Sequence, residues 1–365
     1  MHSMRHTVES CLKPIAGIVR CALPGVISLL AACATQIQPG PSPAPARPAI
    51  AAPPVSTAEQ EALRTLVSLQ DRLYRVGAPL LVNNTDLCKG NARNLLGFTA
   101  KNKYSYSAEF IEAAHQVLGL NDRLQVMGVL AGSSAAKAGV RLGDGLVSVE
   151  DKPLPQGQNA EREAASILAP LVNGKAGVKL SLERGGANLA LNVPLTHACA
   201  FAIELGNTDQ VNAYADGHRM MITRGMLDFV RSDEELAYVL AREMAHNALA
   251  HPQKQRMSAT VGGIIDNLIR MHPDLNGMTG MSGIKPMPQA MDTAADTLAL
   301  YMAARAGYSI EQAPAFWQRM ASQYPAATLN GYNAIHPSVK QRLEAISKTL
   351  AAIKHKKAAG KPLSP

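Results

Sequence analysis

The chain has 365 residues, 47% of them hydrophobic and 18% charged, with a formal net charge of +8. That supplies enough apolar material for one to three packed domains and excludes a disordered polymer. Aromatic residues amount to only 4%, and no compact block of Lys and Arg interrupts the part expected to fold, so nucleic-acid binding through base stacking is excluded as well.

Arg5, Lys13 and Arg20 precede or flank an apolar run from Cys21 to Ala32. The run is shorter than the roughly 20 residues a membrane-crossing helix needs, and the charged-then-apolar pattern predicts an export signal. It closes on Leu30-Ala31-Ala32-Cys33, which resembles the bacterial lipobox. The resemblance implies that residues 1–32 are a lipoprotein signal peptide and that the Cys33 thiol carries a diacylglycerol anchor. Ala34 is not the aspartate that retains lipoproteins in the inner membrane, so the expected location is the periplasmic side of the outer membrane. An ordinary secretory signal or an apolar N-terminal helix are the alternatives. Residues 33–55 are rich in Pro and Ala and read as an extended tether.

Folded structure is expected from Ser56, which with Glu59 fits a capping box ahead of Leu63, Leu66, Leu69, Leu73 and Val76 at helical spacing. This gives an N-terminal helical element over 56–120. With Cys11 and Cys21 in the signal and Cys33 lipidated, Cys88 and Cys199 remain; an oxidising compartment predicts that they pair, the alternative being two buried free thiols. Asn83-Asn84-Thr85 fits a glycosylation sequon but reads as a turn.

From Leu124 short β-rich runs separated by Gly and Ser replace the helical pattern, with one helical stretch near 160–171. Gly132-Ser133-Ser134-Ala135-Ala136-Lys137-Ala138-Gly139-Val140, followed by Leu142-Gly143-Asp144, resembles the bacterial PDZ phrase in which a short helix packs through Ala and Gly ahead of a strand. The resemblance implies a PDZ-like domain over 121–196. Such domains bind chain ends by strand addition; a rigid spacer without a groove is the alternative.

Ser232-Asp233-Glu234-Glu235 then caps a helix that runs to a stop at Pro252. Within it, Arg242-Glu243-Met244-Ala245-His246 occupies the frame of H-E-x-x-H, where two histidines one helical turn apart bind zinc and the glutamate activates water. Arginine stands at the first histidine. Around it, Asn212-Ala213-Tyr214-Ala215-Asp216-Gly217, Asp233-Glu234-Glu235-Leu236-Ala237, Asp292-Thr293-Ala294-Ala295-Asp296 with Ala303-Ala304-Arg305-Ala306-Gly307-Tyr308, and His336-Pro337 with Arg342 resemble the phrases of the M-48 peptidase family of zinc metallopeptidases, across roughly 205–350. The resemblance places Glu243 on the general base, His246 on the second zinc ligand, Asp292 on the third, where the family has glutamate, and Asp296 on the carboxylate that orients a ligand histidine. It places His336 within reach of the active site and Arg342 in the closing segment.

Arginine offers hydrogen-bond donors only and stays protonated, so it cannot ligate zinc. The paired departures suggest that Arg242 and Asp292 form an ion pair in place of the metal. The alternative keeps zinc on His246 and Asp292 with His336 or His251, although the five-residue offset of His251 from His246 turns it off their shared helix face. His197 and His218 read as surface residues, and the methionines between 257 and 291 as adaptable packing or a mobile loop. Lys348, Lys354, Lys356, Lys357 and Lys361 read as a solvated helix end and a frayed basic tail over 351–365.

The expected fold class is α+β: a helical, minigluzincin-type metallopeptidase domain over 197–350 with a small edge sheet, preceded by the PDZ-like β-rich domain. Two functions compete. One is a zinc endopeptidase with Glu243 as base; the other is a pseudo-peptidase without cofactor that binds extended or misfolded polypeptide clients in envelope quality control. Partners on either reading are polypeptides and, through the anchor, a membrane.

Overall fold

The computed structural model describes residues 57–254, 289–324 and 339–365. The expected signal peptide and tether, Cys33, the methionines before 289 and His336 lie outside them. In chain order the elements are α1 (Thr57–Val82), β1 (Ala92–Leu95), β2 (Phe98–Lys101), α2 (Ile111–Leu118), β3 (Gln125–Val129), α3 (Ser134–Ala138), β4 (Gly145–Val149), β5 (Lys152–Pro153), α4 (Ala160–Gly174), β6 (Gly177–Arg184), β7 (Ala187–Pro194), β8 (Thr196–Cys199), β9 (Ala202–Gly206), β10 (Ala213–Ala215), β11 (Arg219–Thr223), α5 (Arg224–Phe229), α6 (Asp233–Ala248), α7 (His251–Lys254), α8 (Gln289–Arg305), α9 (Ala313–Gln323) and α10 (Val339–Ala358).

The β-rich domain is built on one sheet of order β2-β3-β4-β6-β7, with β5 paired to β4. Its small-residue phrase has a local cause at each step. Ser133 accepts a hydrogen bond from the Ala136 N–H and so caps α3, which Gly139 ends in the left-handed region at φ 90°. Asp144, fully buried, then receives Arg184 through two bonds of 2.6 and 2.7 Å and the Arg141 N–H at 2.8 Å. Buried carboxylates need such partners. Because β2 belongs to this sheet, the domain begins near residue 97 rather than at 121.

The helical domain begins earlier than 197, since α1 is part of it. Leu73, Val76, Leu80 and Leu81 share one apolar core with β9, β11, α6, α8 and α9, and Gly77 sits so close to β9 that a Cβ there would come within 2.1 Å of the Ile203 side chain. Upstream on α1, Leu63 joins Tyr106, Phe110, Ala113, Ala114 and Leu120 in a smaller cluster. The β-rich domain is therefore an insertion. The chain leaves along β1 and returns along β8, which pair antiparallel from Ala92 opposite Cys199 to Leu95 opposite Thr196. The Cys88–Cys199 disulfide, fully buried, closes this neck.

α6 runs through the middle of the helical domain, buried from Leu236 to Ala248 with its polar side chains included, so those side chains need partners within the core. Ser232 accepts from the Glu235 N–H as its N-cap, and the Glu235 carboxylate accepts from the Arg231 N–H at 2.7 Å. The helix stops before the expected Pro252. Ala250 takes φ 55°, and the separate α7 starts at His251, with consequences for the site below. At the C-terminus, α10 continues helical through Ala358, where the sequence suggested fraying from 351. Beside the helix, a sheet of order β10-β11-β9 leaves β10 at its edge among the described residues.

Closing a loop over a sequence separation of 111 residues constrains the unfolded chain by about 4–5 kcal/mol in the chain-entropy model. Replacing both Cys88 and Cys199 by serine is expected to lower the unfolding free energy in urea by about that amount, and reductant should then have no further effect. An unchanged midpoint would show that the bridge does not constrain the neck.

Candidate functional site

Three helices converge on a buried cluster of charge. α6 contributes Arg242, Glu243 and His246; α8 contributes Asp292 and Asp296, one turn apart and so on one face; α10 contributes Arg342. Each of Arg242, Glu243, His246, Asp292 and Asp296 is at most 4% exposed. The Arg242 guanidinium is shared among three carboxylates: Nη1 donates to Glu243 Oε1 at 3.0 Å, Nη2 donates to Asp292 Oδ1 at 2.8 Å, and Nε lies 3.3 Å from Asp296 Oδ1. Arg342 approaches Asp296 from the other side, with Nη2 and Nε each 2.7 Å from a carboxylate oxygen.

Trp317, the one tryptophan of the sequence, floors the cluster from α9. Its ring centroid lies 3.8 Å from the Arg342 guanidinium carbon and 5.9 Å from that of Arg242, so the ring's negative face supports both cations. Nothing in the sequence marked Trp317 for this role; it comes from a helix without any motif.

Two guanidiniums face three carboxylates, and burial dominates the protonation of the acids. Burial pushes Asp292 up to about 7, against the opposing pull of Arg242 and Arg342. Burial likewise raises Glu243. Burial works against the charge on Arg242, yet Asp292, Glu243 and Asp296 together hold its proton more firmly than usual.

The two histidines behave differently from the sequence expectation. The turn at Ala250 swings His251 back, so that its Nδ1 lies 3.0 Å from His246 Nδ1, while His246 Nε2 points toward Asp292 Oδ1 at 3.7 Å. His251 is thus in contact with His246 although it lies off its helix face. It is also on the wrong nitrogen for a shared metal: Asp292 and His251 approach opposite edges of the His246 ring, so the three do not converge on a common point. His197 is in contact with Asn94 on the neck ribbon, and His218 is exposed.

Among the described residues, the donor set does not fit zinc. The oxygen of Asp292 that would face a metal accepts from Arg242, and the guanidinium occupies the position between Asp292 and Glu243 with a fixed positive charge. Among the described residues no group of three or more His, Cys, Asp or Glu side chains could hold a metal ion. Arg242 instead spans the positions of two partners. Its Nε faces Asp296, as the ring N–H of a ligand histidine would, and its terminal nitrogens carry positive charge on to Glu243 and Asp292.

Comparison with known proteins agrees with the motif reading. Residues 180–350 match the model of peptidase family M-48. The chain is 29% identical over 139 residues to the beta-barrel assembly-enhancing protease of Yersinia pestis, covering 34% of this chain and 29% of that protein. It is 26% identical over 140 residues to the mitochondrial metalloendopeptidase OMA1 of Schizosaccharomyces pombe, covering 37% and 42% respectively, and 28% identical over 141 residues to that of Arabidopsis thaliana, covering 37% and 29%. The chain thus spans less than half the length of these curated relatives. Among solved structures, the HtrA3 PDZ domain bound to a phage-derived ligand is 17% identical, matched over 28% of this chain and 86% of that one with a TM-score of 0.21.

Removing the cation from this cluster leaves buried carboxylates unpaired, which costs about 3–5 kcal/mol. Arg242→Met, which keeps much of the volume, is expected to destabilise by that order in urea unfolding; a change below about 1 kcal/mol would mean that the carboxylates find other partners. Asp292 gives a second readout. With its folded pKa raised from 3.8 to about 7, the folded state holds a proton that the unfolded chain releases. Its contribution to stability is therefore complete below about pH 4 and lost as the pH rises through 7. Asp292→Asn should flatten the decline in unfolding free energy between pH 4 and 7, and an unchanged slope would assign the proton elsewhere.

Proposed function

We propose that this chain, whose residues 180–350 are an M-48 peptidase-family domain, is a pseudo-peptidase that binds extended polypeptides without hydrolysing them. The observation that carries this reading is the Arg242 guanidinium bonded to both Glu243 and Asp292. A glutamate held by arginine is not available to take a proton from water, and the cation that would activate that water is replaced by a group with no open coordination position.

What remains is a binding surface. β10 pairs with β11 and its other side is the sheet edge among the described residues, where an extended chain adds as a further strand through backbone hydrogen bonds, with little demand on its sequence. Tyr214 on β10 stands next to the cluster: Asn212 Nδ2 donates to its hydroxyl at 2.9 Å, and burial, with Glu243 nearby, pushes that hydroxyl up to about 12. β2 offers a second edge in the inserted domain.

The N-terminal pattern supports an envelope setting, with Cys33 as lipid anchor and residues 34–55 as reach from an outer membrane into the periplasm. The name of the Yersinia relative concerns the assembly of β-barrels; unfolded envelope proteins are accordingly the proposed clients, and quality control the proposed role. One observation favours an active enzyme instead: Glu243 and His246 keep their places in the motif frame.

Fluorescein-labelled casein, an unfolded polypeptide, separates the two. The full chain is expected to bind it, measured by fluorescence anisotropy, to leave it intact on a gel after prolonged incubation, and to behave identically with and without EDTA. Cleavage that EDTA abolishes would establish a zinc endopeptidase and overturn this reading.

A further inference from the structure

The hairpin that carries the edge strand packs on the central helix through Ala213, Met220 and Ile222, and its tip is hydrogen-bonded to that helix by the Asn247 side chain. Asn247 follows His246 on α6 and lies one turn beyond Glu243, so that Glu243 and Asn247 share the helix face turned toward β10 and β11. It is completely buried. Its side-chain oxygen accepts from the Gly217 N–H at 2.6 Å, and its Nδ2 donates to the Arg219 carbonyl at 2.9 Å. Gly217 lies in the connection between β10 and β11 and Arg219 opens β11; Gly217 takes φ 102°, a backbone state that favours glycine.

The same connection is braced from within. The Asp216 carboxylate accepts from the N–H groups of His218 and Arg219, each at 2.9 Å, and from Arg219 Nε at 2.5 Å. Arg219 Nη1 also reaches to 3.4 Å from Glu204 on β9. The hairpin tip is thus a compact knot, and the Asn247 amide gives it two hydrogen bonds to α6. An amide of this size satisfies one donor and one acceptor on a single turn. Aspartate would lose the donor, and alanine would lose both bonds.

We infer that Asn247 is a positioning residue that sets the height of the β10 edge above Glu243, and thereby how tightly an extended polypeptide is held. The inference rests on the polypeptide-binding reading above and adds to it the residue that tunes the surface. Arg242 supplies a cation to the buried cluster, and Asn247 holds the hairpin beside it.

The test compares full-length wild type with Asn247→Ala and Asn84→Ala. Asn84 is also fully buried and also bridges by its amide, with Nδ2 donating to the carbonyls of Leu80 at 2.9 Å and Met302 at 3.1 Å. It joins α1 to α8 and has no part in the hairpin, so it controls for simple loss of stability. Labelled casein is the binding probe, and amide hydrogen exchange over residues 213–222 reports the hairpin. Asn247→Ala is expected to weaken casein binding about tenfold, the equivalent of one lost hydrogen bond's worth of ordering, and to speed exchange in the hairpin. Asn84→Ala is expected to lower the unfolding midpoint without either effect.

Equal casein affinity in wild type and Asn247→Ala, or equal losses in the two alanine variants, overturns the inference while leaving the polypeptide-binding reading intact. Failure of wild type to bind casein overturns that reading and this inference with it. Should Asn247→Ala fail to fold, Asn247→Ser, too short to reach both partners, takes its place with the same expectations.

Discussion

A guanidinium without solvent, shared among three carboxylates, is the constraint on which the helical domain depends. Charges of either sign are expensive to bury alone, and pairing offsets the cost only when the geometry is good and the remaining hydrogen-bonding groups are satisfied. Arg242 meets Glu243, Asp292 and Asp296 at once, Arg342 supplies a second cation to Asp296, and Trp317 supports both. The cluster thereby ties α6, α8, α9 and α10 together at a single point. A metal ion would tie helices together in a comparable way; here an amino acid of the chain does so.

The same economy fixes the surroundings. α6 is the common support: its Arg242 holds α8, its Asn247 holds the β10–β11 connection, and its capped start at Ser232 leads back to α1 through the pairing of Asp233 with Arg72 at 3.2 Å. The inserted β-rich domain leaves and rejoins the helical domain on one antiparallel ribbon, with the disulfide at its base. From β8 the chain continues after two residues into β9, the strand against which β11 pairs in parallel. The edge sheet and the inserted domain are therefore consecutive parts of one extended run of chain, and both present an edge strand.

Much of this was legible in the residues. The displaced histidine, the i, i+4 carboxylates of the later helix and the arginine after His336-Pro337 were visible as motif positions, and chemistry alone indicated that arginine and aspartate at two ligand positions should pair. The capped helix start at Ser232 and the Gly-Ser phrase of the inserted domain follow from local rules that need no tertiary context. The misses have a common cause. That α1 packs with the helical domain across an insertion, that Trp317 lies under the guanidiniums, and that a left-handed residue at Ala250 returns His251 to His246 are all long-range consequences of packing. An alanine at φ 55° leaves no trace in the sequence, and a helix offset of five residues correctly argued against the shared face that the turn then made irrelevant.

Zinc content measured on the full chain beside Arg242→His, each purified without chelator from zinc-supplemented medium, tests the central claim most directly. The account predicts no stoichiometric zinc in the native chain, because its own guanidinium occupies the position, and a gain toward one zinc per chain in the histidine variant, where that charge is gone and a donor takes its place. About one zinc per native chain, removable by chelation, would contradict the account and return the site to the metallopeptidases.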